Sequence, residues 1–176
     1  WQTSFLGVEH DYYSINNWSL QACDWPAPRD YTGAAKVALL GQTVARELFG
    51  EDDPVGRTIR IARVPFQVVG TLAPRGQGGW GQDQDDVIFV PLSTLKKRLL
   101  ANETITGDLV QQISVGVARS EDMKFAEERL AELLRERHRI PPGGQDDFVV
   151  RNLSEIVSAR SETTQLMSVL LAAGAS

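Results

Sequence analysis

His10 and His138 are the two histidines of the 176-residue chain, and Cys23 is its one cysteine. A histidine acting as a base needs a nucleophile within reach, but no GxSxG turn is present, and Cys23 sits in "QACDWP", which lacks a papain-type signature. HExxH and HxH are absent, so neither histidine has a metal-ligand spacing, and both are expected to be structural. A lone cysteine cannot close an internal disulfide or build a thiolate metal site.

The carboxylates give a similar result. Asp83, Asp85 and Asp86 close the loop "GQGGWGQDQDD" and have the oxygen chemistry of a calcium ligand, yet the rest of an EF-hand pattern is missing. No Lys-Ser/Thr follows the glycines, so this is no phosphate-binding loop, and a mobile surface loop is expected. Trp80 stands out on it as a candidate partner contact. The neighbours Asp52–Asp53 and Asp146–Asp147 point apart in extended chain and are expected to serve turns, not an acid/base couple. No catalytic residue, cofactor or metal site emerges.

The elements around these residues are clearer. Residues 3–8 predict a strand, and Asp11 is placed to cap a short helix over "DYYSINNW". Pro26 and Pro28 argue against a regular helix in 19–30. "KVALL" is an apolar run that predicts a buried strand, broken by Gly41, with Thr43 placed to cap the next helix. In that helix Val44 and Leu48 share a face, with Ala45 and Phe49 beside them; Gly50 is expected at a left-handed C-terminal position. "EDDPVG" is turn chemistry, with Pro54 fixing φ and Gly56 permitting a positive one. "RTIRIARVPFQVVGTL" alternates at period two and predicts a hairpin linked at 62–65, with Arg57, Arg60 and Arg63 outward. "VIFVP" predicts a third strand ended by Pro91, and "STLKKRLL" a helix capped by Ser93.

Further along, "QISVGV" alternates as a strand would. A long amphipathic helix is expected over 120–139, with Ser120 as its cap and Ala126, Leu130, Leu133 and Leu134 inward. "DDFVVRN" predicts a last short strand, and Asn152 the start of a final helix. Its end, "LMSVLLAAGAS", has about half the ~20 residues of a bilayer span.

Hydrophobic content of 42% and charged content of 23% are ordinary for a globular chain, and no cross-link is needed at this length. Net charge −5 and a pI near 5.1, with no basic stripe, argue against nucleic acid and anionic headgroups as partners. The start at Trp1 lacks a signal-peptide pattern and suggests a piece of a longer protein.

The segment "KVALLGQTVARELFGEDDPVGRTIRI" resembles the most recognisable block of the periplasmic core domain of MacB-like ABC transporter permeases, a group that includes lipoprotein-exporter and FtsX-type proteins. Gly41, Leu48, Phe49, Gly50, Asp53, Pro54 and Gly56 carry that pattern, and Gly70 in "FQVVGTL" and Pro91 in "DDVIFVPLSTL" extend it. "FLGVEHDYYSINNWSL", "QISVGVA" and "DDFVVRN" also match in order, while "QACDWPAPRD" departs from the family's Gly-Arg-x-Phe.

The resemblance implies an α+β fold. A discontinuous porter-like α/β subdomain (1–34 and 105–155) would carry an inserted β-rich "sabre" subdomain (35–104), and 156–176 would be a membrane-proximal helix. It implies a non-enzymatic domain outside the bacterial cytoplasmic membrane that passes ATP-driven motion to a substrate or a periplasmic adaptor. A second permease subunit and an ABC ATPase domain or subunit would be its partners. The other readings are a soluble periplasmic ligand-binding module using 74–86 as a lid, and a hydrolase with an unrecognised site.

Overall fold

The computed structural model describes residues 3–78, 81–100 and 110–152. Trp80, the 156–176 helix and the expected helix start after Asn152 therefore lie outside the described residues. The chain divides into two compact units, Trp1–Val115 and Gly116–Ser176.

The first unit is built on a mixed six-stranded sheet, β1 (Ser4–Val8), β2 (Leu20–Cys23), β3 (Val37–Leu40), β4 (Thr58–Ile61), β5 (Val64–Leu72) and β6 (Val87–Pro91), in the order β1-β6-β3-β5-β2. The fold class is α+β, as expected. β1 runs parallel to β6, and β3 parallel to β5, while β3 and β6 are antiparallel. The nine residues of β5 hold three partners: β3 along one edge, and on the other edge β4 against Val64–Gln67 and β2 against Gly70–Leu72.

Both faces of this sheet are covered, which explains the unbroken apolar runs in β3 and β6. Alternate residues feed two cores. Ala38, Leu40, Ile88 and Val90 join Ile59, Ile61, Phe66 and Val68 beneath Val44 and Ala45 of α3 (Gln42–Phe49). Leu39, Val87 and Phe89 face the other way, toward Tyr13 of α1 (Tyr12–Ile15) and Tyr31 of α2 (Pro28–Thr32). On this second face Trp25 stacks on Tyr13 at 4.2 Å, and Trp18 meets Phe89 edge-on at 5.1 Å. Burial pushes the Tyr13 hydroxyl up, and its bond with the Tyr31 hydroxyl, 3.3 Å away, adds to the shift.

Several local expectations are corrected. Pro28 does not forbid a helix: it takes the first position of α2, where its missing N–H leaves nothing unpaired, and Asp30 accepts the Ala27 N–H at 2.7 Å. Leu20–Cys23 is a strand, half-exposed and so without a strong alternation. Asp11 precedes α1 but makes no side-chain cap; its carboxylate pairs with His10. Pro91, not Ser93, leads α4 (Leu92–Thr94), which runs into a π-helical turn at Leu95–Leu99, and the Ser93 hydroxyl donates to the Tyr31 carbonyl. The hairpin link is two residues, Ala62 and Arg63, both at positive φ as a tight hairpin turn demands.

The expected boundary at residue 34/35 does not separate two bodies. β1 pairs with β6 and β2 with β5, so both belong to the same sheet as β3–β6, and Val8 and Leu39 pack in one core. The change of unit falls at 115/116.

In the second unit a 3₁₀ turn, Ser120–Asp122, leads into α5 (Met123–His138), closed by Arg139 in the left-handed conformation. Ser120 is therefore not its cap; Asp122 is the residue before the helix, and Arg119 donates to its carboxylate at 2.8 Å. Residues 112–117, which alternate, and 146–152, with its apolar run Phe148–Val150, are not strands here. Alternation declares a period but supplies no hydrogen-bonding partner, and Ile113 and Val149 are exposed at 69% and 76%.

Candidate functional site

A group of polar side chains in the first unit converges on the loop that follows β5. Asp85, only 6% exposed, accepts the backbone N–H of Arg75 at 2.8 Å and of Gly76 at 2.9 Å. One carboxylate thus closes the loop at its neck. Asp83 accepts the Asp85 N–H at 2.9 Å and the Thr43 hydroxyl at 2.7 Å. The Thr43 hydrogen bond, then that of the Asp85 backbone, holds the Asp83 carboxyl below its ordinary range. Farther out, Gly78 N–H donates to Gln82 at 2.7 Å, and Gln77 bridges Asp83.

Arg75 ties the same neck to α1. Its guanidinium lies 4.4 Å from the Trp18 ring centre and donates to the Asn16 carbonyl at 3.0 Å. Across the neck, the start of α3 presses against β6. A Cβ on Gly41 would sit 2.2 Å from the Asp85 carbonyl oxygen, so only glycine lets these backbones approach. Gly41 N–H donates to Val87 at 2.9 Å, and the Gln42 amide donates to the Leu72 carbonyl.

Thr43 was expected as a helix cap. Gly41 holds that position, and Thr43, one residue into α3, is instead the loop's anchor. Asp83 and Asp85 have their oxygens engaged with the protein, which corrects the mobile loop expected here, at its base.

Of the remaining motif residues, Phe49 packs on the first core, but Leu48 is 44% exposed, because α3 has only two fully buried positions, Val44 and Ala45. Gly50 has φ 62° and ψ −120°, positive as expected though not left-handed helical. Asp53 accepts the Val55 N–H at 2.9 Å, Pro54 accepts from Arg57 at 3.1 Å, and Gly56 has φ 79°. Gly70 lies against β2, and Pro91 is buried at the end of β6. Cys23 is exposed at the sheet edge. The motif thus splits between the turn after α3 and the strand positions, and only Gly41 belongs to the loop clamp. Arg75, Trp18 and Gln42 carried no sequence signal, since each acts on a residue far away in the chain.

The second unit has a smaller constellation. Arg135 grips Asp146 with two bonds, 2.8 and 2.6 Å, which hold the Asp146 carboxyl below its ordinary range. The His138 ring donates from Nδ1 to Asp147 at 2.7 Å and meets Phe148 edge-on.

A sheet covered on both faces, whose polar side chains hold backbone in place, makes a shape-holding α+β domain. The family model described as the MacB-like periplasmic core domain matches residues 1–133, and the chain belongs to that family. It is 36% identical over 169 residues to the macrolide export ATP-binding/permease protein MacB of Chlorobaculum tepidum, covering 96% of this chain and 25% of that protein. It is also 36% identical to the Bdellovibrio bacteriovorus protein of the same name, covering 98% of this chain and 26% of that protein. The chain therefore spans about a quarter of these relatives. Two solved structures share the fold. The periplasmic region of MacB from Actinobacillus actinomycetemcomitans has a TM-score of 0.67 at 22% identity, over 89% of this chain and 64% of that one. The extracellular domain of the noncanonic ABC-type transporter YknZ from Gram-positive bacteria has a TM-score of 0.63 at 18% identity, over 84% and 69%. This chain is a periplasmic core domain of a MacB-like ABC permease.

Proposed function

We propose that this domain is a non-catalytic moving part of an ABC exporter, which passes motion driven by ATP hydrolysis elsewhere in the protein to a substrate or a periplasmic adaptor. The observation that carries the reading is the clamp at Asp85. A part that transmits displacement must not deform under it, and the long loop after β5 is closed on itself at its neck by Asp85 and tied to α3 through Thr43 and to the end of α1 through Arg75. The same ties weigh against the ligand-binding reading, in which 74–86 would swing as a lid.

In the parent permease the domain works with a second permease subunit and an ABC ATPase domain or subunit. The names of the relatives, ATP-binding/permease proteins, support the ATPase part of that arrangement.

The test is coupling in the full-length protein reconstituted into vesicles. Asp85→Ala loosens the loop without touching any nucleotide site. Transport per ATP hydrolysed is expected to fall while hydrolysis continues. Transport and hydrolysis both unchanged, with the loop shown to be loosened, would contradict the proposal.

A further inference from the structure

The second unit joins its helix to the following chain through a pair of adjacent carboxylates. After α5 the chain turns at residues 140–144, where Gly143 has φ 79° and Gly144 N–H donates to Pro141 at 2.8 Å, and comes back along the helix. Asp146 then meets Arg135, and Asp147 meets His138. The two acceptors are consecutive in sequence and reach donors three residues apart, on the last turn of one helix. Phe148 packs edge-on against His138 at 5.8 Å. A groove of about 710 Å³ runs between the helix and the returning chain, with Ala131, Glu128 and Lys124 on one side and Phe148 and Val150 on the other. The returning segment is therefore held at one end of the groove by charge and by one ring contact, and not by a packed core: no residue of α5 is fully buried.

We propose that residues 146–150 are a strap that fastens the returning segment 146–152 to the last turn of α5, so that movement of one is passed to the other through the Arg135–Asp146 and His138–Asp147 pairs. The inference rests on the moving-part reading and names where, in this unit, motion crosses from one element to the next. Exposed ion pairs suit such a role. Each contributes little alone, and two side by side resist sliding along the helix while still releasing under salt or load. The forked geometry at Arg135 sets the register, because a guanidinium bound through two nitrogens tolerates little rotation.

The experiment uses the full-length protein, comparing wild type, the double variant Asp146→Asn/Asp147→Asn, and the charge swap Arg135→Asp/Asp146→Arg. With Cys23 replaced by serine, the seating of the strap is read from the distance between spin labels at the exposed positions Lys124 and Val149, alongside transport per ATP. In the double variant, the population with the strap displaced is expected to rise about fivefold, the scale of losing two exposed pairs. The helicity of α5 should stay as it was, and transport per ATP should drop at least about twofold. The charge swap should recover both, which a merely unfolded variant could not do. An unchanged Lys124–Val149 distance distribution overturns the strap. A displaced strap with undiminished transport per ATP overturns its coupling role. Failure of the underlying reading looks different: the unsubstituted protein would itself show no ATP-dependent transport, and the coupling would fall with it.

Discussion

Gly41→Ala is the sharpest single perturbation of the first unit. The added methyl would lie 2.2 Å from the Asp85 carbonyl oxygen, 2.9 Å from its carbon and 3.1 Å from the Val87 oxygen. All three are backbone atoms, so no flexible side chain can yield. Gly41 has φ −69°, which alanine adopts without strain, so the substitution isolates the steric term. Overpacking of this kind costs roughly 2–3 kcal/mol. The stiffer unfolded chain returns about 0.5 kcal/mol. A net loss of about 2 kcal/mol in a unit of this size lowers the melting temperature by roughly 10 °C. The assay is thermal unfolding by circular dichroism, with amide exchange at Arg75, Gly76 and Asp85 followed in parallel, because these N–H groups report whether the neck has opened. A variant melting within about a degree of wild type, with those amides unchanged, would refute the claim that close approach at Gly41 fixes the loop.

Three further outcomes follow from the same geometry. Asp85→Ala leaves the Arg75 and Gly76 N–H groups without their acceptor and should cost about 2–3 kcal/mol, whereas Asp85→Asn, keeping one acceptor oxygen, should fall between; equal melting of both variants and wild type would refute the clamp. Gly50→Ala and Gly56→Ala meet no atom within 4 Å, so only their positive φ opposes the change; losses of roughly 1–2 kcal/mol are expected in denaturant melts, without the accelerated Arg75 and Gly76 exchange of Gly41→Ala. Asp83 has a lowered folded-state pKa, so its contribution is present above the ordinary aspartate value of about 3.9 and is lost as pH falls through the lower folded value. The loop's protection, taken as the observed exchange rate relative to the intrinsic rate at each pH, should therefore fall in acid below about pH 4, and Thr43→Val should reduce that dependence, both checked across a pH series.

Much of the sheet could be read from the sequence because its strands carry their own evidence. β3 and β6 are apolar without interruption since both faces are covered, and the β4–β5 hairpin alternates because Ile59, Ile61, Phe66 and Val68 turn to one core while Arg60 and Gln67 turn away. The errors share a physical origin. At β2 only Leu20 and Ala22 are partly covered, which leaves almost no pattern. Residues 112–117 have the pattern but no pairing strand among the described residues. Pro28 stands at the start of a helix, where the rule against proline in helix interiors does not apply. The clamp was hidden because a carboxylate that binds backbone N–H groups nine and ten residues away looks, in sequence, like any acidic loop residue. The family block, in contrast, was legible as a whole, since Gly41 and the Gly50–Gly56 turn are held to their residue types by backbone geometry.

The central claim is that the first unit keeps its shape while the protein around it moves. It is tested most directly by pulsed electron resonance distances in the full-length protein, with Cys23 replaced by serine. One spin-label pair is placed inside the unit at the exposed positions Ser14 and Glu47, and another links Glu47 to a membrane-anchored helix of the parent protein. The account predicts that adding ATP leaves the first distance unchanged and shifts the second. A change in the Ser14–Glu47 distance, or no change in either, would contradict it.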